Sequence, residues 1–181
     1  MRVARYAAPL LAASLVLAVA GCSGEDGDDV DPAKATAQLE KQRDDVRAAT
    51  AELQQSAAQA LGGTVRSSSG QWRGCEAGGL EEYKNFRYLA DARIDVGAAA
   101  RPYLDRLQAV FEETGFGGLE PGERPGGQTL HAERQDVAAS FSELPDQGDY
   151  VLLSVAGPCV DVPEDEREDW LTRDEPTPDI T

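Results

Sequence analysis

The chain of 181 residues carries 33 acidic and 17 basic side chains, and its formal net charge is −16 at pH 7. Such an acidic surface repels nucleic acid and anionic lipid headgroups, so both are excluded as electrostatic partners. The hydrophobic fraction of 41% is sufficient for a buried core, and the length fits one compact domain.

The first 20 residues have the pattern of a secretory signal. Arg2 and Arg5 precede an apolar run over residues 7–20 that is interrupted only by Pro9 and Ser14. At 14 residues this run is shorter than the ~20 that a membrane-spanning helix needs, and no basic stop signal follows it. We therefore expect a removable signal peptide over residues 1–21 and no permanent span.

The signal ends in Val19-Ala20-Gly21-Cys22, which resembles the lipobox of bacterial lipoproteins, where a branched apolar residue and two small residues precede a cysteine. The resemblance covers residues 1 to about 24. It implies that a diacylglycerol is attached to the Cys22 sulfur and that the chain is cleaved just before Cys22. Two or three acyl chains would hold the protein firmly, because each buried methylene contributes about 0.8 kcal/mol. The predicted location is the extracytoplasmic face of the cell membrane. The alternative is an ordinary signal peptide cleaved near Ala20, with an incidental Cys22.

The basic residues indicate the source of the gene. Arginines outnumber lysines by 14 to three, and alanine and glycine are abundant. This composition indicates a GC-rich coding bias and an actinobacterial source. Beyond the lipobox, the chain is loosely similar to small membrane-anchored lipoproteins of actinobacteria.

An acidic segment, residues 22–31, follows the predicted lipidation site. Cleavage before Cys22 would remove two arginines and no acid, leaving 15 basic and 33 acidic residues and a net charge of −18. The nine residues SGEDGDDVD cannot bury an apolar face, so we expect a solvated tether that reaches about 30 Å when extended. An EF-hand loop would need an oxygen ligand, a glycine and a carboxylate where this stretch has Val30, Asp31 and Ala37. We therefore expect no metal site.

A long helix is predicted after the tether. Asp31 can cap it, Pro32 fits its first turn, and Gly62 and Gly63 end it. Its apolar stripe consists of Leu39, Val46, Leu53 and Ala60 at a spacing of seven, with Ala35, Ala49, Ala57 and Leu61 on the same side. The stripe favours a helix that lies on the protein's own sheet. An intermolecular coiled coil is the alternative, for which the alanines leave a thin seam.

Two strands are expected next. TVRSSSGQWRGC predicts a short strand that leads into a loop with Trp72 three residues before Cys75. Tryptophan in such a loop either packs over a disulfide or contributes to a binding patch, so Trp72 is a candidate binding residue. YKNFRYLADARI predicts a longer, half-buried strand, whose inward-facing residues are Phe86, Tyr88, Ala90, Ala92 and Ile94.

The second half of the chain begins with a helix predicted near residues 100–115, which has Pro102 in its first turn. The stretch GFGGLEPGERPGG that follows is predicted to be a flexible connector. Three strands separated by turns at 134–136 and 145–149 are expected in QTLHAERQDVAASFSELPDQGDYVLLSVAGPC. Residues 163–181 are acidic and contain prolines, and we expect a disordered tail with at most a short turn around Trp170.

These elements predict one α+β domain over residues 32–162. The order α-β-β-α-β-β-β suggests a two-layer sandwich in which the helices pack on one face of a mainly antiparallel sheet.

The remaining cysteines predict a disulfide. If Cys22 carries lipid, Cys75 and Cys159 are left as an even pair in an oxidising compartment, where disulfides persist. The alternatives are two buried free thiols or a redox or metal site, but the sequence has neither a CxxC spacing nor a second histidine.

Candidate catalytic groups are scarce. The only histidine, His131, lies on a predicted strand, and Glu133 follows on the same face. The two side chains could act as base and orienter. A surface histidine held by a hydrogen bond is the simpler interpretation, because one histidine cannot build a typical zinc site and no serine lies in a nucleophile elbow.

We therefore predict a lipid-anchored extracytoplasmic binding or interaction module of the cell envelope. It is expected to be non-catalytic and to need no cofactor. Its expected partners are the membrane, through the lipid on Cys22, and an envelope protein or a small ligand. The alternatives are a carrier of a lipid or small apolar ligand and, less favoured, an envelope hydrolase that uses His131.

Overall fold

The structure is a computed structural model, and it describes residues 30–75, 84–97, 102–144, 148–174 and 179–180. The described elements, in chain order, are α1 (Pro32–Leu61), β1 (Thr64–Gly74), β2 (Asn85–Asp95), α2 (Leu104–Glu113), β3 (Gly117–Arg124), β4 (Gly127–Arg134), β5 (Val137–Glu143), β6 (Tyr150–Ala156), β7 (Val160–Asp161), a 3-10 turn (Glu164–Glu166) and α3 (Arg167–Thr172). The α+β class is confirmed.

The strands form one antiparallel sheet in the order β1-β2-β6-β5-β4-β3. The short β7 also pairs with β2, where Val160 lies opposite Phe86. Further along β2, Leu89 lies opposite Ala156 of β6. β6 and β7 therefore lie end to end along the same edge of β2, separated by a short irregular segment.

Helix α1 begins and ends where the sequence predicts. The Asp31 carboxylate accepts the N–H groups of Ala33 and Lys34, and Gly62 ends the helix with a φ of 64°. The stripe packs on the chain's own sheet, mainly on β2 and β6. The spacing of seven fails in the last turn, where Ala60 is exposed and Leu61 is buried, because a straight helix repeats every 3.6 residues and drifts from a heptad.

The buried core contains residues of the helices and of the sheet. The predicted inward residues of β2 are at most 3% exposed, which confirms the alternation read from the sequence. Helix α2 packs on β4 and β5 through Leu107, Val110 and Phe111. It begins later than predicted, since Pro102 precedes the helix and Tyr103 occupies the N-cap position.

The predicted connector over residues 115–127 is wrong. Residues Gly117–Arg124 form β3, which pairs with β4 and occupies the edge of the sheet. Its side chains are mostly exposed, so no apolar alternation marks it in the sequence. Pro121 is compatible with this position because an edge strand leaves one row of backbone groups unpaired.

The predicted order is also incomplete at the end of the chain. The three expected strands are β4, β5 and β6, but β3, β7 and α3 were not expected. The expectation of a disordered tail over residues 163–181 is wrong for its described part, because residues 164–172 are helical. Trp170 is 2% exposed and Ile180 is 5% exposed, so both belong to the core.

Candidate functional site

A groove of about 760 Å³ opens between the first half of α1, the β4–β5 turn and the segment that leads into β7. We call it the α1–β7 groove. Its apolar surface is formed by Val30, Ala35, Val137, Pro158, Cys159 and Val160. Its charged surface is formed by Asp31, Lys34, Lys41, Asp45, Asp136 and Asp161. This mixed lining suits a ligand or protein segment that combines short apolar groups with polar or charged groups.

Gln42 is a buried polar residue of the groove lining. Its side chain is 6% exposed, its Nε2 donates to the carbonyl of Pro158, and its Oε1 accepts the N–H of Tyr88. Gly157 lies directly against it, since a Cβ at this position would be 2.2 Å from Gln42 Cγ. One amide thus connects α1, β2 and the segment before β7 through two hydrogen bonds.

Sequence reasoning missed Gln42, although a signal for it exists. Gln42 is three residues after Leu39 and four residues before Val46. This spacing places it on the apolar stripe of α1. A polar residue on such a stripe has to find partners when it is buried, and here it finds two backbone groups.

The predicted disulfide between Cys75 and Cys159 is confirmed. The S–S distance is 2.04 Å and the Cα atoms are 6.1 Å apart. The bond joins the end of β1 to the segment before β7, and Cys159 lines the groove. Nearby, Cys75 N–H donates to the Asn85 carbonyl and Asn85 Nδ2 donates to Asp161 Oδ1 at 2.8 Å. One wall of the groove is therefore covalently attached to the sheet.

The groove carries more negative than positive charge. Four aspartates and two lysines line it. Lys41 Nζ donates to Asp45 Oδ2 at 2.6 Å, and this hydrogen bond raises the pKa of the Lys41 ammonium above its ordinary value; the charges of Asp45 and Asp136 act in the same direction. The remaining excess of carboxylates favours a ligand that offers cationic or hydrogen-bond donor groups.

Trp72 does not lie in a loop, as expected, but in β1, which is 11 residues long. Its side chain is 6% exposed and packs edge-on against Tyr88 and Trp170, with ring centroids 5.0 and 4.8 Å apart. A buried ring offers no exposed aromatic surface to a partner. The structure therefore places Trp72 in the core, where its ring contacts are Tyr88 and Trp170 and not the expected disulfide.

His131 lies on β4, away from the groove. It is exposed, and its neighbour across the sheet on β5 is Ser140. In the described part of the chain, no hydrogen bond or ion pair connects His131 with Glu133. The structure thus does not join these two side chains to the groove residues.

Other sequence-based expectations concern lipid and metal. Cys22 and residues 23–29 lie outside the described residues. Within the described ranges, no helix is both long and apolar enough to cross a bilayer, and no cluster of three or more histidines, cysteines or carboxylates could hold a metal ion.

Comparison with known proteins adds no relationship to these observations. No protein-family model, no curated protein and no solved structure matches this chain.

Proposed function

We propose that this protein is a lipid-anchored binding module of the outer face of the cell membrane and that the α1–β7 groove is its recognition surface. The observation that carries the proposal is the position of the groove at the first described residues of the chain. Val30 and Asp31 line the groove, and the resemblance to a lipobox puts the lipid on Cys22. Val30 is eight positions after Cys22, a distance of at most about 29 Å along the extended chain. A partner at the membrane surface would therefore be within reach of the groove.

The groove lining offers charged and apolar groups for binding. Cys159 is held in a disulfide, and the lining residues include neither histidine nor serine. Lys41 is paired with Asp45 and is kept protonated by a raised pKa, which makes it a poor base at neutral pH. We infer that the groove recognises its partner through charge and shape.

The packing of the core favours this proposal over a carrier of an apolar ligand. A carrier would hold its ligand between the helices and the sheet, in the two-layer sandwich that we infer for the domain. Leu39, Leu53, Tyr103, Phe111 and Phe141 fill this space and are all 0% exposed. A lipid tail would have to displace side chains packed at crystal-like density, which is costly.

The lipid anchor is tested by metabolic labelling with a lipid precursor. We expect label on the wild-type protein and none on Cys22→Ala. Cys75→Ser is the matched control, because it also removes one sulfur but should keep the label. Equal labelling of Cys22→Ala and the wild type would contradict the anchor.

The groove is tested by a photo-crosslinking amino acid at two exposed positions of α1. Gln38 lines the groove, whereas Gln55 lies further along the same helix and is also exposed. We expect a defined crosslinked species in cells from position 38 and not from position 55. It should disappear with Asp136→Lys, which reverses a charge of the groove. Crosslinks that are equal from both positions, or unchanged by Asp136→Lys, would refute the groove as the recognition surface.

A further inference from the structure

The edge of β1 that faces away from β2 pairs with a short extended segment of the same chain. Asp179 forms a β-bridge with Ser69, and the N–H of Ile180 donates to the carbonyl of Ser68 at 3.2 Å. The Ile180 side chain is 5% exposed and belongs to the core cluster. Residues 179–180 thus occupy this edge as an added strand would.

Two side chains of α1 hold the backbone of this segment. Arg47 donates to the carbonyl of Asp179 at 3.0 Å, and Gln54 Nε2 donates to the carbonyl of Ile180 at 3.1 Å. Arg47 is itself bound to the Tyr88 hydroxyl. Gly70 of β1 leaves room for that hydroxyl, since a Cβ there would be 2.1 Å from it. Strand, helix and tyrosine therefore form a preorganised site for a backbone and one aliphatic side chain.

The bound segment leaves part of the polar capacity of this site unused. Gln54 and Ser68 are 5% and 8% exposed, and Gln54 Oε1 and Ser68 Oγ have no hydrogen-bond partner among the described residues. Buried polar atoms are normally paired, and leaving one unpaired is unfavourable. A peptide with a donor at the right position would satisfy atoms that residues 179–180 do not.

We propose that the β1 edge is a peptide-binding site for an extended segment of a partner protein, and that residues 179–180 occupy it in the absence of that partner. The partner segment pairs with β1 in the antiparallel direction and presents an aliphatic side chain in the position of Ile180. Backbone hydrogen bonds give such strand addition its affinity, and the side-chain pocket gives its specificity. This site is separate from the α1–β7 groove and does not rest on the function proposed for it.

The test uses the full chain and a fluorescent peptide, EPTPDIT, which copies residues 175–181. Ile180→Asp should vacate the site, because burial of an unpaired carboxylate is unfavourable. We expect fluorescence anisotropy to show at least tenfold tighter binding of the peptide to Ile180→Asp than to the wild type, whose own segment competes at a high effective concentration. The peptide EPTPDDT should not bind to either protein.

A second substitution locates the bound peptide. Gln54→Ala, added to Ile180→Asp, should weaken peptide binding at least fivefold, whereas Gln59→Ala at an exposed position of the same helix should not. If Ile180→Asp does not fold, Ile180→Ala replaces it, and the peptide should raise its melting temperature. A folded variant that does not bind the peptide would overturn the proposal. So would binding that is insensitive to Gln54→Ala. Dimers of the wild type that disappear with Ile180→Asp would overturn the separate partner and assign the site to a second copy of the chain.

Discussion

Gln42 offers the most direct test of how the groove is built. In Gln42→Leu, the N–H of Tyr88 and the carbonyl of Pro158 lose the partners that the structure gives them. Tyr88 is buried, so its unpaired N–H would cost about 1–3 kcal/mol. Pro158 is exposed, so water can replace the donor to its carbonyl. Leucine is nearly isosteric and offers apolar contact in return. We therefore expect a net loss of about 2 kcal/mol in the free energy of unfolding.

Thermal and urea unfolding followed by circular dichroism measure this loss. For a chain of this length, about 2 kcal/mol corresponds to a decrease in melting temperature of about 4–8 °C. Gln55→Leu is the matched control, because the same substitution at an exposed site of the same helix should change the stability by less than about 0.5 kcal/mol. The reasoning is refuted if Gln42→Leu is as stable as Gln55→Leu.

Gln42→Glu separates the two hydrogen bonds. An ionised carboxylate can accept the N–H of Tyr88, but it cannot donate to the carbonyl of Pro158. The folded state therefore favours the protonated acid, so that the pKa of the new carboxyl is raised relative to the unfolded chain. The stability of Gln42→Glu relative to the wild type should then increase as the pH falls through this raised pKa. A difference that is independent of pH would show that the donor to Pro158 contributes nothing.

Three further predictions address the rest of the domain. The unreduced protein without its signal and lipidated cysteine should have no alkylatable thiol. Cys75→Ser and Cys159→Ser should each lower the free energy of unfolding by about 4–5 kcal/mol, because the bond closes a loop of 84 positions. A double mutant that is less stable than either single mutant would contradict this. Trp170→Ala should cost about 3–5 kcal/mol, as measured by urea unfolding, whereas no effect would mean that α3 is not packed on β1. NMR titration should show that the pKa of the Lys41 ammonium is lower in Asp45→Asn than in the wild type, because the hydrogen bond and charge of Asp45 raise it. The ion pair contributes to stability at neutral pH, and this contribution is lost as the pH rises through the pKa of Lys41.

The sequence by itself determined the elements whose signals are local. Helix α1 is predicted by the capping carboxylate of Asp31, by the apolar stripe of the helix and by Gly62, whose backbone adopts the left-handed conformation. These signals act within a few residues. Strand β2 follows from an alternation that leaves its inward residues at most 3% exposed. The disulfide between Cys75 and Cys159 follows from counting cysteines once Cys22 is assigned to lipid. The lipid itself stays a prediction.

Only the tertiary structure decided the features that depend on contacts between distant residues. Strand β3 has exposed side chains, glycines and Pro121, and it exists because β4 supplies its backbone partners. Trp72, expected in a loop, is buried because Trp170, which is 98 positions away in the sequence, packs against its ring. The groove depends in the same way on Gln42 and on a carbonyl 116 residues away. Such contacts join residues that are far apart in the sequence and require the closure of long loops. The sequence around each residue therefore has no local pattern that specifies its partner.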